Sequence, residues 1–369
     1  MILEVNMERE LVLVINPGST STKIAVYKGV EQLAQENLNH DTHKLDEFKK
    51  ITDQYDYRKE MIVNWMIEKS FEPQRLKAVV GRGGLLRPMP SGAYKVTEAM
   101  VKDLIIGIQG EHASNLGGMI ADAIAKEQGI DAYIVDPVAV DEFEPLARIS
   151  GMPEITRKSL VHALNIRAIA HRVAKEMNKK IEDLNLVVAH LGGGISIVPM
   201  KKGKIIDANN ANEMGPFSPE RAGGLPVGDI AKMCFSGKYT PDELKKKMRG
   251  KGGMTAYLGT NDGREVVARI EKGDEKAKLI FEAMAYQISK EIGAMATVLE
   301  GRVDAVVLTG GVAYSKYLTD YVTERVSFIG PVIIKAGEDE MEALNLGVLR
   351  VLNGEEKAKI YENEVKIND

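Results

Sequence analysis

The stretch that decides the fold is Ala189-His190-Leu191-Gly192-Gly193-Gly194-Ile195-Ser196-Ile197-Val198. An earlier stretch has the same design: Val14-Ile15-Asn16-Pro17-Gly18-Ser19-Thr20-Ser21-Thr22, followed by Lys23-Ile24-Ala25-Val26-Tyr27. In both, residues typical of β-strands stand on either side of a short turn rich in glycine or serine. The glycine-rich turn of a P-loop or Rossmann unit leads into a helix instead. Each turn is therefore predicted to be the tip of a β-hairpin.

Such a tip can bind an anion, because consecutive backbone N–H groups in a turn form a concave nest of donors. Two copies, roughly half a chain apart, predict a duplicated fold that holds a polyphosphate from both sides. Strand and helix patterns around each turn follow the order βββαβαβ, with one predicted helix over 45–70 and a long apolar-faced helix near 275–300. The fold class we predict is α/β, with two duplicated domains and a nucleotide cleft between them.

The length of 369 residues also favours two domains over one core. We expect an N-terminal domain over 1–153 plus 340–369, and a C-terminal domain over 154–339. Residues 210–263 interrupt the strand and helix rhythm with glycines and prolines, and are predicted to be an insertion over the cleft.

Composition narrows the class of protein. Hydrophobic residues make up 44% and charged residues 28%, which excludes a disordered or collagen-like chain. The net charge of -4 gives no general reason to expect a nucleic acid or an anionic membrane as partner. Cys234 is the only cysteine, so no internal disulfide can form. With no apolar run long enough to cross a bilayer, we expect a soluble, unexported, cytoplasmic protein.

Polar residues at the first turn suit a terminal phosphoryl group: Asn16, Ser19, Ser21 and Lys23 offer an amide, hydroxyls and an ammonium. A plain polar hairpin tip is an equally good interpretation. Arg82 lies in Gly81-Arg82-Gly83-Gly84, where the glycines leave its guanidinium room to meet a carboxylate or a phosphoryl group. An ordinary loop arginine is the alternative.

Asp136 ends a predicted strand, the usual position for a carboxylate that holds Mg²⁺ through water, although a turn cap before Pro137 is the simpler interpretation. Gly310-Gly311, between a strand and a helix, can let an adenine ring or ribose lie against bare backbone. Glu338 and Glu340 open the last helix, where acidic residues also complement the helix dipole without any further role.

None of the six histidines forms an i, i+4 pair, so zinc is not predicted. His162 falls in the first turn of a helix and can face a cleft. His190 opens the glycine turn, where a ring N–H could reach a phosphoryl oxygen. His112, in Gly110-Glu111-His112-Ala113-Ser114-Asn115, is a helix-entry residue or a substrate contact.

The ordered set of motifs resembles the superfamily of acetate and sugar kinases, heat-shock chaperones and actin, whose domains are ribonuclease H-like. Within it, nearly the whole chain is similar to the short-chain carboxylate kinases. Three further segments are similar to the butyrate kinase group rather than to acetate kinases: 110–115, Val161-His162-Ala163-Leu164-Asn165, and 216–221 through Gly228-Asp229.

This resemblance implies a reversible reaction in which a short-chain carboxylate and ATP give an acyl phosphate and ADP, with Mg²⁺. It also implies a homodimer or larger homo-oligomer, with the acyl substrate held by the N-terminal domain and the nucleotide by the C-terminal domain. By resemblance, Arg82 contacts the carboxylate and the transferring phosphoryl group, Asn16 and His162 bond its oxygens, and Asp136 with Glu340 positions the metal. The implied nucleotide contacts are His190, Gly192, Gly193 and Gly194 for the β- and γ-phosphates, and Asp262, Arg264, Gly310 and Gly311 for the nucleoside.

Two positions depart from the acetate kinases. An arginine just before their Ser-Gly-Asp segment is absent here, and Arg221 is the nearest candidate for its catalytic role. Gly84 stands where they carry a bulky aliphatic residue, and we expect the missing side chain to make room for a three- or four-carbon acyl group.

Other functions remain open to the sequence. A sugar kinase of the same superfamily would use an aspartate such as Asp136 as general base, and an acetate or propionate kinase would differ only in acyl preference. A chaperone-like or actin-like protein would need a peptide-binding domain or filament contacts, and the chain has no spare segment of that size.

Overall fold

The computed structural model describes residues 8–366. They form two compact units, one made of the described residues up to Val140 together with those from Asp339 onward, and one of Asp141–Glu338. Each unit has its own sheet and its own hydrophobic core. Within residues 8–366, no helix is both long and apolar enough to cross a membrane.

The chain alternates strands and helices in both units. The strands are β1 Leu11–Pro17, β2 Ser21–Lys28, β3 Glu31–Asn39, β4 Leu76–Arg82, β5 Ala93–Lys95, β6 Asp131–Val135, β7 Asn185–Leu191, β8 Ile195–Lys201, β9 Lys204–Ile205, β10 Ala305–Gly310, β11 Val332–Ala336 and β12 Lys359–Ile360. The α-helices are α1 Thr42–Asp46, α2 Tyr55–Glu68, α3 Glu98–Ile106, α4 Asn115–Gln128, α5 Ala163–Glu176, α6 Val227–Cys234, α7 Pro241–Met248, α8 Gly253–Leu258, α9 Gly263–Glu271, α10 Glu275–Val298, α11 Lys316–Val326, α12 Glu340–Leu352 and α13 Tyr361–Glu364.

Five strands of the first sheet repeat the topology of the second sheet. The first has the order β12-β5-β6-β4-β1-β2-β3 and the second β11-β10-β7-β8-β9. In the first, β3, β2 and β1 are antiparallel neighbours, and β1, β4 and β6 are parallel. The second repeats this pattern with β9, β8 and β7 antiparallel and β7, β10 and β11 parallel. The predicted duplicated α/β fold is confirmed.

Helices cover both faces of the first sheet. Ile134 on β6 packs against Gly118 of α4, whereas the next residue, Val135, packs against Gly347 of α12. Successive strand residues point to opposite faces, so α4 and α12 lie on opposite sides of the sheet. Because helices bury both faces of the sheet, every residue from Leu11 to Ile15 of β1 is buried, and the strand is an unbroken apolar run.

Both glycine- or serine-rich turns are hairpin tips, as predicted. The first joins β1 to β2 with Pro17 opposite Thr22, and the second joins β7 to β8 with Leu191 opposite Ile195. The prediction of one helix over 45–70 was wrong, because the chain forms two helices there, α1 and α2. A short 3₁₀ turn at Ile51–Gln54 separates them. The short strands β5 and β12 have too few residues to show a sequence pattern.

The division between the units precedes segment 141–153, which the sequence placed with the N-terminal domain. Hydrogen bonds join this segment to β9 and the residue after it: Ile205 N–H donates to the Glu142 carboxylate at 3.0 Å, and Glu144 N–H donates to the Ile206 carbonyl at 3.0 Å. Segment 210–263 belongs to the second unit and carries α6, α7 and α8.

Candidate functional site

The first unit gathers polar side chains where its parallel strands end. Ile15 pairs with Gly81, and Arg82 pairs with Val135, so Asn16, Arg82 and Asp136 reach the same edge of the sheet from three neighbouring strands. Carboxyl ends of parallel strands are the usual place for ligand sites in α/β folds. The sequence had singled out all three residues separately.

Glu340, the first residue of α12, joins two of these side chains. Asn16 Nδ2 donates to Glu340 Oε2 at 2.6 Å, and Arg82 Nη1 donates to Glu340 Oε1 in an ion pair. The Arg82 side chain is only 15% exposed, which limits solvent screening of its charge. A carboxylate, an amide and a guanidinium from sequence-distant elements therefore form one cluster.

One donor of the Arg82 guanidinium has no partner among the described residues. Its Nε is buried and makes no hydrogen bond with any described residue. Leaving a buried N–H unpaired costs free energy, and a charged donor costs more than a neutral one. A carboxylate or phosphoryl oxygen bound beside Nε would satisfy this group.

Arg82 lines a cavity of about 330 Å³ that lies within the first unit. The positive charges of Arg82 and Lys23 face it together with one carboxylate, that of Glu340. The other residues that line it are Asn16, Pro17, Gly18, Ser21, His112, Ser114 and Val138. Most of these residues have polar side chains, and Pro17 and Val138 are apolar.

His112 faces this cavity as a neutral ring. Burial lowers its pKa from the usual 6.5, and the positive charge of Arg82 lowers it further. Its Nδ1 lies 2.8 Å from the hydroxyl oxygen of Ser114. A neutral imidazole next to Arg82 can orient a bound anion by hydrogen bonding without adding charge.

Asp136 is more deeply buried than Arg82. It is 2% exposed and adopts a positive φ of 39°, which aspartate tolerates better than most residues. Its Oδ1 accepts a hydrogen bond from Gly92 N–H at 2.7 Å. The simpler interpretation from the sequence, a carboxylate that stabilises a turn, therefore describes part of the role of Asp136. Asp136 lies at the same edge of the sheet as Arg82.

Gly84 requires a correction. A Cβ at this position would lie 2.4 Å from Asn115 Oδ1 and 2.7 Å from Asn115 Cα, at the start of α4. The missing side chain makes room for Asn115 and not for an acyl group, so the expectation from the sequence was wrong. Leu85 N–H donates to the same Asn115 Oδ1 at 2.9 Å, which fixes the loop against the helix.

In the second unit, His190 is the second-to-last residue of β7 and stacks on His162, with ring centroids 4.1 Å apart. His190 Nδ1 lies 2.9 Å from Asn165 Oδ1, and because an amide oxygen only accepts, Nδ1 carries the hydrogen. Burial lowers the pKa of His190 well below its usual value, which favours the neutral ring, and Nε2 lies 3.5 Å from Glu338 Oε2. The ring N–H expected at a phosphoryl oxygen is therefore directed at Asn165. His162 Nδ1 lies 2.9 Å from Ser196 Oγ on β8.

Arg221 lies over the glycine turn of this unit. A Cβ at Gly194 would come 2.4 Å from Arg221 Nη1, so only glycine lets the guanidinium rest on the backbone there. Arg221 Nη1 also donates to the Ala211 carbonyl at 3.1 Å. Burial is the main cause that lowers the pKa of Arg221, with Arg249 second. The structure thus brings a half-buried cation to the turn that the sequence predicted to bind phosphate.

The residues expected at the nucleoside separate into two kinds. Asp262 caps α9, and its carboxylate pairs with the exposed Arg264 side chain, whose hydrogen bonds lower the pKa of Asp262 to about 2. Gly310 has a φ of 88° and its missing Cβ makes room for the Leu191 backbone. At Gly311, no atom lies within 4 Å of the position that a Cβ would take. Of these two glycines, only Gly311 therefore presents bare backbone to open space.

Sequence reasoning missed two contacts at these sites. Asn165 orients the His190 ring, and it lies three residues after His162 near the start of α5, a spacing that could have indicated it. Val138 lines the cavity, and its place two residues after Asp136 was the only signal for it.

Two units of related topology, each with a hairpin turn beside a cationic side chain, are the arrangement of the actin-type ATPase fold. Residues 154–356 match the model of the acetokinase family. Over 350 residues the chain is 56% identical to the probable butyrate kinase 2 of Caldanaerobacter subterraneus subsp. tengcongensis, covering 95% of this chain and 99% of that protein. Butyrate kinase 2 of Clostridium acetobutylicum is 55% identical, with coverage of 95% and 98%. The chain belongs to the acetokinase family, and it is a kinase.

Solved structures agree on the fold. An acetate kinase from Porphyromonas gingivalis superposes with a TM-score of 0.78 at 20% identity, covering 93% of this chain and all of that one. A propionate kinase from Francisella tularensis gives 0.73 at 18% identity, with coverage of 92% and 98%. The relatives in sequence favour a carboxylate kinase over the sugar-kinase alternative.

Proposed function

We propose that this chain transfers the terminal phosphoryl group of ATP to the carboxylate of butyrate or a branched four-carbon relative, giving an acyl phosphate and ADP, and that it runs in both directions. The observation that supports this most is Arg82, which pairs with Glu340, lines a cavity together with Lys23 and has an Nε donor without a partner among the described residues. A planar guanidinium is the side chain best matched to a carboxylate.

The acyl acceptor belongs in the first unit under this proposal. Arg82 would hold the carboxylate and neutralise the phosphoryl group as it transfers. Asn16 and His112, which line the same cavity, would orient the oxygens, and Ser19, Ser21 and Lys23 would contact the phosphoryl group. Val138 supplies an apolar surface for an alkyl chain.

Residues of the second unit would hold the nucleotide. The backbone of Gly192 to Gly194, with Arg221 resting on Gly194, would receive the β- and γ-phosphates. His190 and its stacked neighbour His162 would shape the floor of that turn. Gly311 has the open backbone suited to the nucleoside, and Gly310, Asp262 and Arg264 would surround it.

The metal that this reaction needs is Mg²⁺, which neutralises charge on the phosphates of bound ATP. Mg²⁺ is usually held by one or two carboxylates plus phosphate and water oxygens, not by an all-protein cage. Residues 8–366 hold no cluster of three or more candidate metal ligands, and the carboxylates of Glu340 and Asp136 approach one sheet edge. Glu340, which lines the cavity, and Asp136, which follows β6, are the carboxylates that would hold the ion.

Phosphoryl transfer to a carboxylate needs little acid or base catalysis from the protein. A carboxylate oxygen is already nucleophilic, so it forms a bond to the γ-phosphorus while the bond from phosphorus to the ADP oxygen breaks, and no proton is transferred. Catalysis then depends on in-line alignment and on charge neutralisation at the phosphoryl oxygens. Arg82 and Arg221 are the cations that the two units offer for it.

Release of ADP tests the proposal. The full chain with MgATP should release ADP when butyrate or isobutyrate is added, less with acetate, and not with glucose or N-acetylmannosamine. EDTA should abolish the release and excess Mg²⁺ should restore it. Release with the sugars alone would overturn the proposal.

A further inference from the structure

Arg58 on α2 lies directly beneath the first hairpin turn, and its side chain is fully buried. Its guanidinium donates to three groups of the turn: Nη1 to the Gly18 carbonyl at 2.8 Å and the Ser21 carbonyl at 3.2 Å, and Nη2 to the Ser19 carbonyl at 2.9 Å. Nη1 also lies 3.1 Å from Thr22 Oγ1. The guanidinium therefore forms hydrogen bonds to the backbone along the turn, on the side of the turn that faces α2.

Gln54 accepts the other hydrogen bonds of the Arg58 guanidinium. Its Oε1 accepts from Arg58 Nε at 3.1 Å and from Nη2 at 2.7 Å. All these acceptors are neutral, and no carboxylate among residues 8–366 forms an ion pair with Arg58. Burial lowers its pKa to about 10, so the group is still charged at neutral pH. A buried cation without a counter-ion is costly unless something in the functioning protein compensates it.

The geometry of the turn shows where that compensation would come from. In a planar trans peptide the C=O and the following N–H point in opposite directions. Because the carbonyls of Gly18 and Ser19 face Arg58, the N–H groups of Ser19 and Thr20 face away from it. Ser19 and Thr20 are exposed, and neither N–H donates to a described residue. Two consecutive N–H groups of this kind form an anion-binding nest.

We propose that Arg58 is a positioning residue that turns the Ser19 and Thr20 N–H groups outward and supplies, from beneath, the positive charge that a terminal phosphoryl group of ATP neutralises. The proposal deepens the proposed function, on which it rests. It assigns a role to a side chain that touches neither the nucleotide nor the acid.

Gln54→Glu separates the charge of Arg58 from its hydrogen bonds. A glutamate of almost the same shape keeps the two contacts to the guanidinium and gives it a counter-ion. We expect the melting temperature to stay the same or rise. Affinity for MgATP, measured by calorimetric titration of the full chain, should fall about tenfold, because one unit of charge is cancelled near the phosphoryl site. MgADP, which lacks that phosphoryl group, should lose less.

Gln32→Glu is the matched control. It places the same charge on β3 of the same unit, where the exposed Gln32 accepts from Tyr27 Oη at 2.9 Å. Its affinity for MgATP should equal that of the unaltered chain. An unchanged affinity in Gln54→Glu, or an equal loss in Gln32→Glu, would overturn the proposal.

Substitution of Arg58 itself gives a second measurement. Arg58→Lys keeps the charge but not the planar set of five donors, so we expect a lower melting temperature with part of the MgATP affinity kept. Arg58→Met should lose both, and MgATP affinity at the original level in folded Arg58→Met would contradict the proposal. Since nucleotide titration needs no acyl acceptor, these results stand apart from the ADP-release assay, whose failure with every acid would overturn the proposed function alone.

Discussion

Arg82 is the residue on which acid recognition depends. It ends β4 between glycines, its Nη1 pairs with Glu340, and its buried Nε has no partner among the described residues. A lysine there would keep the charge but lose the planar geometry that meets two carboxylate oxygens at once. The side chain's shape, and not only its charge, is therefore expected to matter.

Arg82→Lys should lower kcat/KM for butyrate by about 10² to 10³, the range expected when a donor to the transition state is removed. ADP release in the coupled assay measures this. Arg75→Lys is the control, because Arg75 forms an ion pair with Glu10 and is 40% exposed. A value for Arg82→Lys within a few-fold of the unaltered chain would contradict the role of Arg82.

The sequence identified Asn16 and Arg82 because each stands at a strand end beside glycine or proline, which is a local signal. It gave no sign of Arg58 or of the Glu340 contact to Asn16, because these join residues far apart in the chain. Gly84 shows the opposite error. The sequence shows that Gly84 has no side chain, but it does not show which neighbour occupies the space. That neighbour is Asn115, and its place depends on how α4 packs.

At the scale of elements, the close approach of the loop after β4 to α4 is a packing requirement. Gly84→Ala should lower the free energy of unfolding by about 1–3 kcal/mol or more, since the new Cβ would overlap Asn115. The ratio of butyrate to acetate activity should stay unchanged in the folded fraction. Gly151→Ala, where a Cβ would meet nothing within 4 Å, is the control for thermal unfolding. A change in acid preference without loss of stability would restore the acyl-pocket interpretation.

The junction of β3 and α1 should make stability depend on pH. His40 is buried, with Nε2 2.8 Å from Thr22 Oγ1, and burial followed by the charge of Arg58 lowers its pKa from 6.5 to about 4. The unfolded chain therefore takes up a proton at a higher pH than the folded chain does. Stability is full above pH 6.5 and is lost as the pH falls towards 4, by at most about 3 kcal/mol.

Urea unfolding at pH 7 and pH 4.5 measures this effect. His40→Gln, which can still bond Thr22, should lose less stability between these pH values than the unaltered chain. His43→Gln, at an exposed histidine of α1, should lose as much as the unaltered chain. Equal losses in all three proteins would mean that His40 does not titrate as described.

At the scale of the whole molecule, duplication accounts for most of what the sequence could predict. Two hairpin turns with the same neighbours indicated two related sheets, and β3-β2-β1-β4-β6 of the first sheet corresponds to β9-β8-β7-β10-β11 of the second. Asn16 and His190 occupy corresponding places, each near the end of the first strand of its sheet and just before the turn. The turns differ in composition, with serine and threonine in one and glycine in the other.

Trapping with hydroxylamine is the most direct test that this chain makes an acyl phosphate. The full chain, MgATP and hydroxylamine would be incubated with acetate, butyrate, isobutyrate or glucose, and both acyl hydroxamate and ADP would be measured. We predict hydroxamate equal to the ADP released and strongest with the four-carbon acids. ADP without hydroxamate, or ADP only with glucose, would contradict phosphoryl transfer to a carboxylate.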